Sequence, residues 1–283
     1  MAERPAARKP RQARSAQVVR TEQLTPHMRR VVLGGDGLAD FPAELEYTDH
    51  YVKLLFAPAG VTYEEPFDVA RIREELPRDQ WPVTRTYTVR AWDPAARELT
   101  LDFVVHGDEG LAGPWAAAVQ PGETMRFMGP GGAYRPDLTA DWHLIAGDES
   151  ALPAIAAALE VLPEGTRAHA FIEVEGPEEE QKIDTPVEIT WLHRAGRPVG
   201  QALIAAVTGL DFPEGRPHAF VHGEAGFVKE LRRHLRVDRQ IPREDLSISG
   251  YWRLGHNEDG WQASKRDWNA QVEAEQEAPA VAG

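Results

Sequence analysis

The chain contains no cysteine. Disulfides, thiolate zinc sites, iron–sulfur clusters and a cysteine nucleophile are therefore excluded, and any redox chemistry must be carried by a bound cofactor. It lacks positive charge as well: 31 Lys and Arg stand against 45 Asp and Glu, a formal net charge of −14. A nucleic-acid binder presents a basic face, so no nucleic acid is expected as a partner. No apolar run reaches membrane-spanning length, so membrane insertion is not expected. The start, MAERPAARKPRQARS, is basic but has no apolar segment of the secretory type. Together these absences predict a cytoplasmic protein. The G-x-S-x-G elbow, the P-loop, H-E-x-x-H and G-x-G-x-x-G are also missing. His218 and His222 stand four apart on a predicted strand, about 13 Å along it, and so form no metal pair.

What is present divides the 283 residues, 42% of them hydrophobic, into two modest domains. Residues 1–14 carry Arg4, Arg8, Lys9, Arg11 and Arg14 against Glu3 alone and read as a disordered basic tail. Residues 15–136 read as β structure: short runs at 16–21, 29–33 and 49–56, a long pair at 83–91 and 98–106 about a Trp92-Asp93-Pro94 turn, and a run at 124–128. A short helix fits 113–119, and the acidic stretch 60–79 reads as an insertion. Many short strands with turn signals predict a barrel or sandwich. From about 136–141 the pattern changes. Apolar strands at 142–146, 168–174, 187–191 and 219–222 alternate with helices at 151–162, 201–207 and 226–235, which predicts a parallel α/β sheet over 141–250. Residues 251–283 are expected to return to the interface between the two parts, with the end fraying from Asn269.

Several blocks can carry chemistry. In Arg85-Thr86-Tyr87-Thr88 a strand puts Arg85 and Tyr87 on one face and the two threonines on the other. A cation, a ring and a hydroxyl on a rigid strand can hold a flat cofactor, although an ordinary strand shows the same alternation. Gly110 to Trp115 places small residues before a helix, where free backbone N–H groups suit a pyrophosphate. His106 ends its strand beside that loop. Gly147-Asp148-Glu149-Ser150 joins a strand to a helix, with Ser150 as the expected N-cap and Pro153 in the first turn. Such a crossover at a sheet's carboxyl end suits a nucleotide, and Asp148 and Glu149 can bond ribose hydroxyls or form a solvated turn. A second crossover carries His222-Gly223-Glu224.

Taken in order, the blocks resemble a known family. Arg85-Thr86-Tyr87-Thr88 is similar to the R-x-Y-[ST] element of ferredoxin-reductase-type flavoproteins, whose Tyr packs on the isoalloxazine. Leu101-Asp102-Phe103-Val104-Val105-His106-Gly107, Gly110-Leu111-Ala112-Gly113-Pro114-Trp115, Gly129-Pro130-Gly131-Gly132, the stretch from Ala146 to Ile155 and Gly250-Tyr251-Trp252-Arg253-Leu254-Gly255 resemble the siderophore-interacting proteins, from about residue 16 to 268.

The resemblance implies an α+β two-domain chain, an antiparallel β-barrel holding FAD followed by an α/β parallel-sheet nucleotide-binding domain. It implies NADH or NADPH as donor, a ferric siderophore as substrate and a monomeric cytoplasmic reductase that uses no catalytic acid or base. A general NAD(P)H–flavin oxidoreductase and a non-catalytic ferric-siderophore carrier are the alternatives. The cofactor contacts it implies are Arg85, Thr86, Tyr87, Thr88, Asp102, Val104 and His106; Leu111, Ala112, Gly113, Pro114 and Trp115; and Gly147, Asp148, Glu149, Ser150, Glu224, Tyr251 and Trp252. Lys53 and Arg253 match basic residues that hold the iron chelate. A third such cation would fall at Gly131, where this chain has none. Arg135, or Arg126, is the expected substitute, and the gap suggests a bias toward neutral hydroxamates over anionic catecholates.

Overall fold

The computed structural model describes residues 13–107 and 110–277. Of the expected basic tail, residues 1–12 lie outside these. Arg14 does not belong to a tail: it opens the first strand, bonds the Gly129 carbonyl at 2.7 Å and pairs with Asp40 at 3.3 Å.

The first domain contains β1 (Arg14–Thr25), β2 (Met28–Gly34), β3 (Tyr51–Phe56), α1 (Val69–Glu75), β4 (Val83–Asp93), β5 (Glu98–Val104), α2 (Ala112–Ala118) and β6 (Thr124–Gly131). The strands close a barrel in the order β1-β2-β5-β4-β3-β6, with antiparallel pairing throughout. Alternation decides which side chains fill it: Val31 and Leu33, Val52 and Leu54, Leu99, Leu101 and Phe103, and Met125 and Phe127 are all buried inside.

The barrel wall splits at one place. Pairing of β4 with β5 begins only at Val89↔Leu101, with a bulge before Ala91, while Asp102, Phe103 and Val104 pair with β2. Residues 83–88 thus pair with β3 alone. The Thr86 amide points away from β3, reaching Glu258 at 3.3 Å, and alternation turns the Thr88 amide the same way. A bulge that re-aims a strand in this manner opens a slot beside the R-x-Y-T residues.

The second domain contains β7 (Trp142–Asp148), α3 (Leu152–Glu160), β8 (Ala168–Val174), β9 (Ile189–His193), α4 (Gln201–Thr208), β10 (Pro217–Glu224), α5 (Ala225–Arg233), β11 (Leu246–Trp252) and α6 (Glu258–Glu277). The sheet is parallel in the order β11-β10-β7-β8-β9. Every residue of β7 is buried, as a strand covered on both faces requires. One face packs Ile145 and Phe220 on α3 and on Met28 and Tyr134 of the first domain; the other packs Leu144 and Ala146 on α4 and α5. The chain leaves β7 toward β8 on one side and returns through β10 on the other. The switch point therefore lies between the carboxyl ends of β7 and β10, where open α/β sheets bind ligands.

Two expectations are corrected here. A boundary at 250 would cut β11, the fifth strand, whose Gly250 lets Ala225 and Trp261 close to 2.9 Å and 3.2 Å of where a Cβ would stand. The end does not fray from Asn269: α6 is helical to Glu277 and is tied to α5 by Lys229–Glu275 at 2.7 Å. Its Glu- and Ala-rich composition hides an inward stripe of Trp261, Lys265, Trp268 and Val272 at helical spacing.

The sheet carries a pH liability. Burial pulls His143 down to about 4 and His222 down to about 3, and lowers His218. The unfolded chain takes up these protons near the ordinary histidine value of about 6.5, and the native one only at much lower pH, so stability is lost as pH falls below about 6.5. Asp148 acts oppositely: burial pushes it up to about 6, and its contribution is lost as pH rises from about 4 to 6. With these three histidines, and His169 of β8 lowered likewise by burial, against one acid, urea midpoints should fall between pH 7 and 5, and His143→Leu should flatten the fall. An unchanged midpoint across that range contradicts the assignment.

Candidate functional site

A cavity of about 650 Å³ lies between the slot in the barrel and the carboxyl ends of β7, β10 and β11, roofed by α6. On the barrel side, Tyr87, Thr86, Thr88, Val104 and His106 line it. The Tyr87 ring is backed by Phe103 at 4.2 Å between centroids, so its orientation is fixed. Burial raises the Tyr87 hydroxyl well above its usual range and keeps the phenol neutral. Asp102 on the same wall is held by Arg30 through bonds of 2.7 and 2.8 Å.

Arg85, expected at the cofactor, faces elsewhere. It is buried and bonds Asp259 at 2.8 and 2.9 Å, with Glu258 at 3.3 Å. It therefore anchors the first turn of α6, where acids are favoured by the helix dipole. In the 110–115 block, Leu111 is the half-exposed N-cap of α2 and its side chain caps none of the helix's first amides. Gly113 lets β5 approach, with Val104 O at 3.4 Å from its missing Cβ. Ala112 is buried, Pro114 follows Gly113 in the first turn, and Trp115 packs between Phe56 and Phe103 rather than facing the cavity.

The sheet side departs further from expectation. A Cβ on Gly147 would stand 2.5 Å from His222 O and 2.9 Å from Ala151 Cβ, so this glycine is what lets β10 and α3 close on β7. Asp148 does not face a ribose. It is fully buried and accepts from the Glu224 amide at 2.8 Å, the Trp252 indole at 2.8 Å, and the Ser150 amide and hydroxyl at 3.0 and 2.5 Å. One carboxylate thereby pins the ends of β7, β10 and β11 together. Ser150 is accordingly not the cap of α3; Ala151 takes that position, without a side-chain bond. Glu149 is bound by Arg194, which also bonds Glu175 at 3.0 Å. Glu224 caps α5 through the Gly226 amide at 2.5 Å and accepts from the Leu254 amide at 3.1 Å, which fixes the loop bearing Arg253. Opposite the slot stand Tyr251, Trp252, Ser247, Ser249 and His222.

Of the expected chelate-binding cations, Lys53 and Arg253 line the cavity. Arg135 does not: it is exposed and bonds the Glu46 carbonyl at 3.2 Å. Arg126 pairs with Glu65 and lies 4.8 Å over Phe67. The place of the missing cation is filled, because a Cβ on Gly131 would stand 2.6 Å from Cζ of Tyr51. A third cation does reach the cavity, from an unexpected element: Lys265 of α6. The helical stripe that carries it was the signal for it in the sequence. Among the described residues no group of three or more His, Cys, Asp or Glu could hold a metal ion, and no helix is long and apolar enough to cross a membrane.

A barrel split beside a fixed aromatic ring, set against the switch point of a parallel sheet, is the two-domain fold of the ferredoxin reductases. Within that class, residues 17–134 match the siderophore-interacting FAD-binding domain and residues 140–255 the siderophore-interacting protein domain. The chain belongs to the siderophore-interacting protein family. It is 46% identical over 272 residues to an uncharacterized protein of Mycobacterium tuberculosis, covering 89% of this chain and 94% of that one. It is 34% identical to the ferric vibriobactin reductase ViuB of Vibrio cholerae, covering 86% and 90%. The crystal structure of a siderophore utilization protein from T. fusca superposes with a TM-score of 0.75 at 38% identity, covering 88% of this chain and 95% of that one.

Proposed function

We propose that the protein is an FAD-dependent ferric-siderophore reductase that takes electrons from a reduced nicotinamide nucleotide. The observation that carries this reading is the cavity itself, which joins a slot walled by Tyr87, a nucleotide switch point and a set of cations in one space. The residues fit FAD: Tyr87 offers a ring backed by Phe103, Thr86 and Thr88 stand on an edge without a β5 partner, and no side chain among the described residues caps the first turn of α2. A related protein of V. cholerae is named for reduction of one ferric siderophore.

FAD held there would supply two-electron acceptance and one-electron delivery, the chemistry that joins a nicotinamide donor to ferric iron. The chain's own residues orient and shield. Tyr87 and Trp252, the latter held by Asp148, fix the walls, and α6 covers one side of the cleft. Lys53 and Arg253 draw in the chelate. Reduction lowers the charge on iron and so weakens its hold on hard anionic oxygens, which releases it without cleaving the ligand. Anaerobic stopped-flow with donor, then with ferric chelate, tests the proposal. Flavin that the donor does not bleach, or that no ferric chelate reoxidises, defeats it.

Lys53→Ala and Arg253→Ala are expected to raise the KM for anionic chelate several-fold each, while flavin reduction by the donor keeps its rate. Reoxidation with unaltered concentration dependence on every chelate displaces the site. For the donor, Arg194 is engaged by Glu149 and Glu175, and the loop after β8 bears Glu178, Glu179 and Glu180. A 2′-phosphate has little welcome there, so NADH should bleach the flavin faster than NADPH at equal concentration. The reverse order overturns this preference.

A further inference from the structure

Three consecutive acids, Glu178, Glu179 and Glu180, follow β8, and only the middle one is buried. Acids are ordinarily left in water, yet Glu179 is 3% exposed. Its carboxylate is met by the other domain. The Thr25 hydroxyl donates to it, the His27 amide lies 3.2 and 3.3 Å from its two oxygens, and His27 Nδ1 stands 2.6 Å from Oε1. Thr25 ends β1 and His27 stands in the turn to β2, 154 and 152 residues earlier in the chain.

Both sides of this contact are held. The loop that carries Glu179 is tied down in its own domain, Glu175 by Arg194 at 3.0 Å and Glu180 by His193 Nε2 at 2.8 Å. On the barrel, the His27 carbonyl accepts the Val105 amide at 2.9 Å, and the His27 ring lies 5.6 Å from that of His106, which lines the cavity. The contact thus runs in short steps from the carboxyl end of β8 to the wall of the slot. Beside it Met28 is buried in one cluster with Ile145 and Phe220 of the sheet domain. Apolar burial is non-directional, so it holds two domains together without fixing their angle. Hydrogen bonds to a buried carboxylate are directional, and leaving one unmade is costly. A second tether, Arg90 of β4 to Glu160 of α3 at 2.8 and 2.5 Å, joins the same two domains, but Glu160 is exposed and pairs of that kind contribute little.

We propose that Glu179 is a positioning residue: by clasping the β1–β2 turn it sets the gap between the Tyr87 slot and the carboxyl ends of β7 and β10, and so the distance over which the donor's hydride passes. The proposal rests on the flavin and nicotinamide reading above. In that transfer a C–H bond of the reduced nicotinamide breaks, and its electron pair goes with the hydrogen to the flavin; the nicotinamide is oxidised and the flavin reduced. The step depends steeply on the separation of the two rings, and a misplacement of about 1 Å can cost about 100-fold. Affinity for the donor is drawn from the sheet domain, so loss of the clasp falls on the limiting rate rather than on half-saturation.

The absence of cysteine lets the gap be measured directly. Val19→Cys on β1 and Ala205→Cys on α4, both exposed, take one spin label each, and pulsed dipolar spectroscopy then gives the distance between the domains without flavin or donor. The labelled parent should give a narrow distribution and Glu179→Ala a broad one, since domains joined by a weakened interface move against each other. In the flavin-loaded protein, Glu179→Ala should lower the limiting rate of bleaching by NADH about 10- to 100-fold and change the half-saturating NADH by less than about twofold. Thr25→Val keeps the shape of the buried side chain and removes only the hydroxyl; it should broaden the distances and slow bleaching in the same sense to a smaller extent. It decides the matter should urea midpoint and flavin content show that the alanine variant is not folded. If the folded variants keep the parent's distances and limiting rate, or if the loss falls on half-saturation alone, Glu179 is not a positioning residue. If neither NADH nor NADPH bleaches the parent's flavin, the donor reading falls, and the clasp is judged by the distances alone.

Discussion

Replacing Arg194 by methionine is expected to destabilise the protein by roughly 3–5 kcal/mol, the cost of breaking a buried ion pair from one side. The guanidinium sits at the end of β9, 7% exposed, and bonds Glu149 through two nitrogens. It bonds Glu175 at 3.0 Å and lies 3.8 Å from Glu173, which is fully buried. Glu173 in turn accepts the Gly200 and Leu203 amides at 2.7 and 3.3 Å, so the cluster holds the start of α4 as well as the turn after β7. Without Arg194, Glu149 and Glu173 remain in a desolvated place with no cation. Protonation or local opening is the only relief, and both are costly at neutral pH. Urea unfolding at pH 7 measures the loss. The double variant Arg194→Met with Glu149→Gln should regain a large part of it, since one uncompensated charge is then gone. A loss below about 1 kcal/mol in the single variant, the range of a surface pair, contradicts the argument.

This cluster also shows what the sequence could convey. The barrel, the parallel sheet and the change near residue 136 were legible because period-two alternation and apolar strand–helix alternation are local properties. Tyr87, Thr86 and Thr88 were legible as a slot wall for the same reason: a strand fixes which side chains share a face. Asp148, Glu149 and Glu224 were not legible in their true roles. Each lies at a strand's carboxyl end, and that placement alone suits a ribose as well as a structural bond. Their partners, Trp252, Arg194 and the Leu254 amide, stand 104, 45 and 30 residues away. Arg85 was misread likewise, because Asp259 lies 174 residues on. Arg135 failed for a nearer reason, since β6 ends at Gly131 and the chain beyond it has turned outward. The helix α6 was hidden by composition, though its stripe of Trp261, Lys265, Trp268 and Val272 was there to be counted.

Tyr87→Ala is expected to raise the dissociation constant for FAD roughly 5- to 150-fold, since stacking of a base-like ring on an aromatic side chain contributes about 1–3 kcal/mol. The phenol lines the cavity with its ring 4.2 Å from Phe103, which in turn packs on Trp115, 5.5 Å away. That backing means the ring is already ordered before a ligand arrives, so little side-chain entropy is lost on binding. Removing it exposes Phe103 to the slot and leaves a flavin one face short of contact. Tyr87→Phe keeps the face and loses only the hydroxyl, which bonds no other group among the described residues, and should bind FAD within about twofold of the parent. Fluorescence titration of the deflavinated proteins gives the constants. Far-ultraviolet dichroism checks that the alanine variant keeps its barrel, and chromatography of flavin released from the parent should show FAD rather than FMN. If alanine binds FAD as tightly as tyrosine, the isoalloxazine does not lie on Tyr87, and the slot beside β4 is not its place. If phenylalanine fails as badly as alanine, the hydroxyl rather than the ring face is what the cofactor meets.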